Sequence, residues 1–276
     1  MRLKSLMGLV VGVAMAISTA LAYAGIVTLR PKITGFNQVV LQNSGELILR
    51  QGAQDSIVMK VPAKLKNYMN VYKAGNVLNM GIKDHPFRIW HHPVYLVTMK
   101  HITGIAIGNS GQIEVKTPIH TNSLAITLKN SGQINIPNVQ VNGPASVILH
   151  NSGRIHIGQL QAQNISLYLA NSGHININNI RSSQLSGSIR NSGEINLAAG
   201  QAHQENVSMK NSGQYLAKNV VAQNASVVMH NSGRVAVHVV KNISIRKRGA
   251  GQLFVYGHPR INHLDVHNAS GMHMVG

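Results

Sequence analysis

Apolar and polar residues alternate in short runs through most of the chain. In residues 154–157, and again in residues 159–162, every second side chain is apolar. This period of two residues is typical of a β-strand that buries one face. A third run, residues 146–149, precedes these two, and helical spacing is absent from the repeated units. The pattern predicts three short strands in each unit of the chain.

The units are separated by the tripeptide Asn-Ser-Gly, whose closing glycines follow one another from Gly111 to Gly233 after 21, 21, 20, 20, 20 and 20 residues. Repeats of this length are typical of solenoids. The fold class is therefore predicted to be all-β: a single parallel β-helix, right-handed, with about one coil per repeat. The 66 residues from Gly45 to Gly111 leave room for three coils, or for two coils and an insertion. The tripeptides begin at Asn43, Asn109, Asn130, Asn151, Asn171, Asn191, Asn211 and Asn231.

Asparagine and glycine suit the corners of such a solenoid. Both tolerate the left-handed backbone conformation that a sharp turn requires. Asparagines at the same level of successive coils can also hydrogen-bond to one another through their side-chain amides. The Asn-Ser-Gly stripe is therefore interpreted as structural, and the alternative is that the stripe is itself a binding surface.

The first part of the chain differs from the repeats. Residues 33–50, 55–61, 68–72 and 77–82 alternate like further strands, whereas residues 84–95 interrupt the pattern with Pro86, Pro93 and the sole tryptophan, Trp90. We expect 84–95 to be an insertion or lateral loop. Residues 1–24 have the pattern of a signal peptide: Arg2 and Lys4 precede an apolar run that ends in Ala-Tyr-Ala.

Cleavage after residue 24 would leave residues 25–276 as one β-helix domain without a membrane-spanning helix. The protein is expected to be exported, to the periplasm, the cell surface or the extracellular medium.

The region 36–83 resembles the start of the head GIN domain of the putative autotransporter adhesins. It combines a strand, the Asn43-Ser44-Gly45 turn, a strand ending before Gly52, and Gly75-Asn76 leading into another strand. The resemblance implies a parallel β-helix, similar in shape to pectin lyases, and a role in adhesion without a defined ligand. The chain departs from the family pattern by using asparagine where glycine is common, and by its basicity.

The charge balance points to an anionic partner. Lysine and arginine total 25 against 7 acidic residues, and removal of Arg2 and Lys4 leaves 23 − 7 = +16. Such a surface attracts acidic polysaccharide, lipopolysaccharide or another surface polyanion, and the alternative is that the net charge only keeps the protein soluble. Nucleic acid is a further alternative, which export and the scarcity of aromatic residues disfavour. The chain has no cysteine, so thiolate metal sites are excluded.

The acidic residues do not form an obvious catalytic pair. β-Helical lyases and hydrolases use clustered carboxylates, but the seven here are widely spaced. We therefore expect a binding or structural module rather than an enzyme, without a cofactor or metal, and the alternative is a polysaccharide-active enzyme. The cluster His85, His91 and His92 is interpreted as a surface loop. The carboxylates are Glu46, Asp55, Asp84, Glu114, Glu194, Glu205 and Asp265.

Two sets of residues flank the repeated turn, and both are rich in cations. If the coils stack in register, the residues just before and just after the turns form polar strips that suit an extended polyanion. Lys241, Arg246, Lys247 and Arg248 form a second basic group. A solvated edge without a ligand is the alternative. The candidate binding residues are Lys129, His150, Arg190, Lys210 and His230 before the turns, and Arg154 and Arg234 after them.

Overall fold

The computed structural model of the protein describes residues 25–86, 88, 91–267 and 270–276. The predicted signal peptide lies outside these residues. The described part consists almost entirely of strands, with one short 3₁₀ helix at Ala63–Tyr68. The strands are β1 (Ile26–Leu29), β2 (Gln38–Leu41), β3 (Glu46–Gln51), β4 (Ser56–Pro62), β5 (Met69–Ala74), β6 (Val77–Ile82), β7 (Val94–Met99), β8 (Gly104–Ile107), β9 (Ser110–Val115), β10 (Ile119–Thr121), β11 (Leu124–Leu128), β12 (Ser131–Val141), β13 (Pro144–His150), β14 (Arg154–Ala170), β15 (His174–Arg190), β16 (Glu194–Leu197), β17 (Gly200–Lys210), β18 (Gln214–His230), β19 (Arg234–Arg248), β20 (Gln252–Tyr256), β21 (Arg260–Val266) and β22 (Met272–Val275).

Successive repeats stack as parallel coils, which confirms the predicted β-helix. Residues 154–157, 159–162 and 164–170 of β14 pair in parallel with 174–177, 179–182 and 184–190 of β15. The register omits Gly158 and Gln163, which mark two corners of the coil, and Asn-Ser-Gly forms the third. Each coil therefore has three strand segments, as the alternation of the sequence predicts.

The core consists of columns of inward-facing side chains that run along the solenoid. Ile155 and Ile175 lie in the column that follows the turn, and both are fully buried. Burial of each such aliphatic side chain contributes about 1.5–3 kcal/mol, so a continuous column supplies much of the stability. The column consists of Tyr95, Leu47, Ile113, Ile134, Ile155, Ile175, Ile195, Tyr215, Val235, Leu253 and Met272.

The asparagines of the turns adopt the left-handed conformation and form a hydrogen-bonded ladder. Asn171 has a φ of 72°, and those of the other turns from 151 to 231 lie between 68° and 73°. The side-chain Nδ2 of Asn171 donates to Oδ1 of Asn151 at 2.7 Å, and Nδ2 of Asn191 donates to Oδ1 of Asn171 at 2.8 Å. The same contact joins consecutive turn asparagines from 109 to 231. The predicted amide ladder is confirmed.

The turn glycine from Gly153 onward is required for a different reason from the predicted one. Gly173 is not in the left-handed region, because Asn171 takes that conformation. A Cβ atom on Gly173 would lie 2.1 Å from Cδ2 of Leu149 and 2.9 Å from the carbonyl oxygen of Gly153. The close approach of the neighbouring coil therefore excludes a side chain there. The expectation that this glycine is needed for a positive φ is wrong.

The 66 residues between the first two turns include β6 and β7, which pair with β2 and β3 on the side opposite β8 and β9. Gln38 in β2 pairs with Val77 of β6 and with Gly104 of β8. Likewise β3 pairs with both β7 and β9. The hydroxyl oxygens of Ser44 and Ser110 are 3.1 Å apart, so the first two turns are direct neighbours. The 84–95 segment joins β6 to β7 and ends inside β7.

Antiparallel strands close the N-terminal end of the stack. β4 pairs antiparallel with β7 and with β1, and β5 pairs antiparallel with β6. Leu65 of the 3₁₀ helix is buried beneath them. The sequence predicts these strands to within a few residues, but not their direction, because alternation is the same in parallel and antiparallel strands.

A lysine occupies one of the core columns near the C-terminal end. Lys247 pairs with Met229 in the register of β18 and β19, and it is fully buried. Its Nζ donates to the carbonyl oxygens of Gly249 at 3.0 Å and Ser270 at 3.1 Å. Burial lowers the pKa of Lys247. Its assignment to a surface basic group is therefore wrong: the side chain holds the last turns onto the core.

Candidate functional site: two polar columns beside the turn

The residues that precede the turns form one column on the solenoid surface, here called the pre-turn column. Ala170 pairs with His150 on one side and with Arg190 on the other. Arg190 pairs with Lys210, which in turn pairs with His230. Adjacent strands lie about 4.8 Å apart, so these side chains occur at that interval along the axis. From the third turn onward, the pre-turn column consists of Lys129, His150, Ala170, Arg190, Lys210, His230 and Arg248.

Tyr168 occupies the centre of this face and was not identified from the sequence. It faces outward two residues before Ala170, in a position where the neighbouring coils have Ile148 and Ser188. Its ring makes an edge contact with the ring of His150, with centroids 5.6 Å apart, and Cζ of Arg190 lies 5.7 Å from its centroid. The small side chain of Ala170 leaves room for this contact. The alternation of β14 would have placed Tyr168 on the outer face.

The residues that follow the turn glycines form a second column, here called the post-turn column. A groove of about 630 Å³ runs beside the turns at its N-terminal end, from Glu46 past Gln133 to Arg154, with the turn serines along it. The two columns lie on either side of the asparagine ladder. The post-turn column consists of Glu46, Gln112, Gln133, Arg154, His174, Glu194, Gln214, Arg234 and Gln252.

The cations of the two columns are largely uncompensated. Among the described residues, the ion pairs are Lys116 with Glu114, and Asp265 with Arg246, Arg248 and His267. Those of Asp265 neutralise part of the second basic group. By contrast, none of the candidate lysines and arginines in the two columns has a carboxylate within ion-pair distance in the described part of the chain. The pre-turn column itself contains no acidic residue.

One acidic residue lies inside the solenoid. Glu205 pairs with Leu185 and Ala225, in an inward-facing column, and is fully buried. Its Oε1 accepts a hydrogen bond from the hydroxyl of Tyr215 at 2.8 Å. Burial raises the pKa of Glu205 to about 8, although the Tyr215 hydroxyl opposes the rise. The Tyr215 ring occupies the space beside Gly187, where a Cβ would lie 2.3 Å from it.

This pair is closed to solvent, so it has no access to a substrate. Among the described residues, no three histidine, aspartate or glutamate side chains are grouped closely enough to hold a metal ion. His85 makes an edge contact with the ring of Tyr68, with centroids 6.2 Å apart. Within the same part of the chain, no helix has the length and apolar character that crossing a membrane requires.

The family model described as "Putative auto-transporter adhesin, head GIN domain" matches the chain twice in succession, over residues 35–143 and 138–259. The chain belongs to the head GIN domain family. The resemblance, which the sequence carries through residues 36–83 and the later Asn-Ser-Gly turns, is thus confirmed over both halves of the solenoid. A comparison with curated proteins finds no match.

Solved structures of similar proteins share the fold of this GIN domain protein. A "putative adhesin" from Parabacteroides merdae has a TM-score of 0.69 at 18% identity, over 92% of this chain and 98% of its own. A "putative adhesin" from Parabacteroides distasonis has a TM-score of 0.67 at 14% identity, over 91% and 98%. A "putative lipid binding protein" from Parabacteroides distasonis has a TM-score of 0.63 at 18% identity, over 92% and 98%. At these identities the likeness concerns the fold.

Proposed function

We propose that this GIN domain protein is an exported, non-enzymatic, adhesin-like module that binds acidic polysaccharides along the pre-turn column. The observation that carries the proposal is one column in which Lys129 and His150 lie on neighbouring coils, and Arg190, Lys210 and His230 follow after a single uncharged coil at Ala170. Among the described residues, none of these lysines and arginines has a carboxylate partner. Membership of an adhesin family supports a binding role, and the seven acidic residues in the chain offer little competition for its cations.

The regular interval is the physical basis of the specificity. An extended acidic polysaccharide carries one negative group per sugar or per disaccharide, so its charges recur at intervals comparable to one or two coils. Each exposed ion pair contributes only about 0.2–1 kcal/mol, because water and salt screen it. Several such ion pairs along one column can together bind a polysaccharide chain without a deep pocket. Tyr168, held between His150 and Arg190, adds an aromatic surface in the middle of the column.

The test is a calorimetric titration of the protein with polygalacturonate. We expect binding that weakens as salt is added, because exposed charges are screened over about 8–10 Å at physiological ionic strength. Replacement of Lys129, Arg190 and Lys210 by alanine should reduce the affinity about tenfold.

A matched control is the triple alanine variant of Lys60, Lys64 and Lys66, which are exposed in β4 and the 3₁₀ helix at the N-terminal end. It loses the same charge away from the columns and should bind within about twofold of the wild type. Equal losses in the two variants would mean that net charge alone attracts the polymer. Lipopolysaccharide is a second probe, chosen because one protein of similar fold is named as lipid binding. Preference for it over polygalacturonate would contradict the proposed ligand class.

A further inference from the structure

An apolar hollow lies on the post-turn face near the C-terminal end of the solenoid. Two residues after the post-turn column, the outward-facing side chains of four successive coils are polar: Asn135, His156, Asn176 and Asn196. In the next three coils they are Leu216, Ala236 and Phe254. A hollow of about 300 Å³ opens at this change from polar to apolar residues.

The hollow exists because a small residue lies between two large ones. Ala236 faces outward between Leu216 and Phe254, yet only 7% of its surface is exposed, because its neighbours stand above it. Tyr256 and Lys218 complete the wall on the side away from the turn. The floor is therefore apolar, and two aromatic rings border it.

Two cations stand at the margin of this hollow. Cζ of Arg234 lies 5.0 Å from the centroid of the Phe254 ring, and this cation–π contact holds the guanidinium beside the opening. The ring of His273 stacks on the same phenylalanine with centroids 4.6 Å apart, which fixes the ring. Neither Arg234 nor Lys218 has an acidic partner among the described residues. Nδ2 of Asn219 donates to the carbonyl oxygen of Ala198 at 3.1 Å, so this amide at the rim is also held in place.

We propose that this hollow binds one carboxylated sugar ring, a uronic acid residue. The axial C–H face of a pyranose packs on Ala236, Leu216 and the bordering rings, while the carboxylate pairs with Arg234 or Lys218. This inference rests on the proposed function, because acidic polysaccharides are the source of uronic acid residues. The hollow would bind a single sugar ring, whereas the pre-turn column binds a polymer through several separate charges.

The shape and polarity of the hollow favour a sugar over an acyl chain. An acyl chain gains affinity from full enclosure by apolar surface, whereas this hollow is only partly enclosed and is lined by amides and cations as well as by apolar side chains. Asn196 and Asn219 lie at its rim and provide amide groups for hydroxyls. Because the two cations have no carboxylate partners among the described residues, a neutral sugar would leave their charge unmatched.

The experiment is an NMR titration of the isotope-labelled protein with methyl glucuronide, methyl glucoside and octanoate. We expect saturable binding of the glucuronide in the millimolar range, with shifts confined to residues around Ala236. The glucoside should bind about tenfold more weakly, because it lacks the charge. Ala236→Leu should abolish binding by filling the hollow, and Arg234→Gln should weaken it about tenfold.

Arg50→Gln is the matched control, because Arg50 is an exposed arginine of β3 near the N-terminal end, outside the hollow and outside both columns. It should bind the glucuronide like the wild type. The proposal is overturned if glucuronide and glucoside bind equally, if octanoate binds more tightly than either, or if folded Ala236→Leu still binds. Because a monosaccharide does not need the pre-turn column, failure here is distinguishable from failure of the triple alanine variant with the polymer.

Discussion

The buried pair of Glu205 and Tyr215 makes the stability of the solenoid depend on pH in a defined direction. Burial raises the pKa of Glu205 to about 8 in the folded protein, against an ordinary value of 4.5. The folded state therefore binds the proton more tightly than the unfolded state does. The stabilisation is fully present below about pH 4.5 and is lost as the pH rises towards 8.

The size of the effect follows from the two pKa values. Each unit of difference corresponds to about 1.4 kcal/mol, so the free energy of unfolding should fall by up to about 5 kcal/mol between pH 4.5 and pH 8. Glu205→Gln keeps the volume and an acceptor for the Tyr215 hydroxyl but cannot ionise. The variant should resemble the wild type near pH 4.5 and be more stable by several kcal/mol near pH 8.

Urea unfolding followed by circular dichroism measures this difference. Comparing the two proteins at each pH cancels the titration of the 15 histidines, which is common to both. Tyr215→Phe serves as a second probe, because it removes the hydrogen bond to Oε1 of Glu205 and should cost about 1–3 kcal/mol. A stability difference between wild type and Glu205→Gln that stays constant from pH 4.5 to 8 would refute the reasoning.

Substitutions at three further positions test the packing of the coils by thermal or urea unfolding. Ile155→Asp should cost several kcal/mol because it buries a charge, whereas Ile155→Val should cost about 1 kcal/mol; equal tolerance would mean that the register is wrong. Gly173→Ala should cost about 1–3 kcal/mol, because its Cβ would overlap Leu149, and full stability would contradict that contact. Asn191→Ala should be about 1 kcal/mol less stable than Asn191→Gly, since both lose the ladder but only alanine resists the positive φ; identical stabilities would rule out this strain.

The strands and buried positions of the repeats could be predicted because several independent features of the sequence point to the same structure. In residues 154–157 the alternation, the turn and the constant interval all require the same inward position for Ile155. The N-terminal end could not be predicted in the same way, because the alternation of β4 does not reveal that it pairs antiparallel with β1 and β7. Its direction depends on contacts between segments that are far apart in sequence.

The candidate site was predicted in part for related reasons. The columns follow from the constant interval, but Tyr168 was missed because the neighbouring coils have Ile148 and Ser188 at its position, so no repeated residue type marks it. Lys247 was misplaced because a run of three basic residues resembles a solvated surface. The alternation of Lys247 with Ile243 and Ile245 would have assigned it to the core. In the same way, the 20-residue interval from Leu185 to Glu205 would have assigned Glu205 to the core.

The binding of acidic oligosaccharides of increasing length tests the central claim most directly. Oligogalacturonates can be titrated calorimetrically against the wild type at one fixed, low salt concentration. If the pre-turn column binds one extended chain, affinity should rise with each added sugar and level off once the oligosaccharide reaches from Lys129 to His230. Its salt dependence should steepen over the same range, because more screened contacts form. An affinity per molecule that does not change with chain length would contradict the account, since a single local contact would then explain all of the binding.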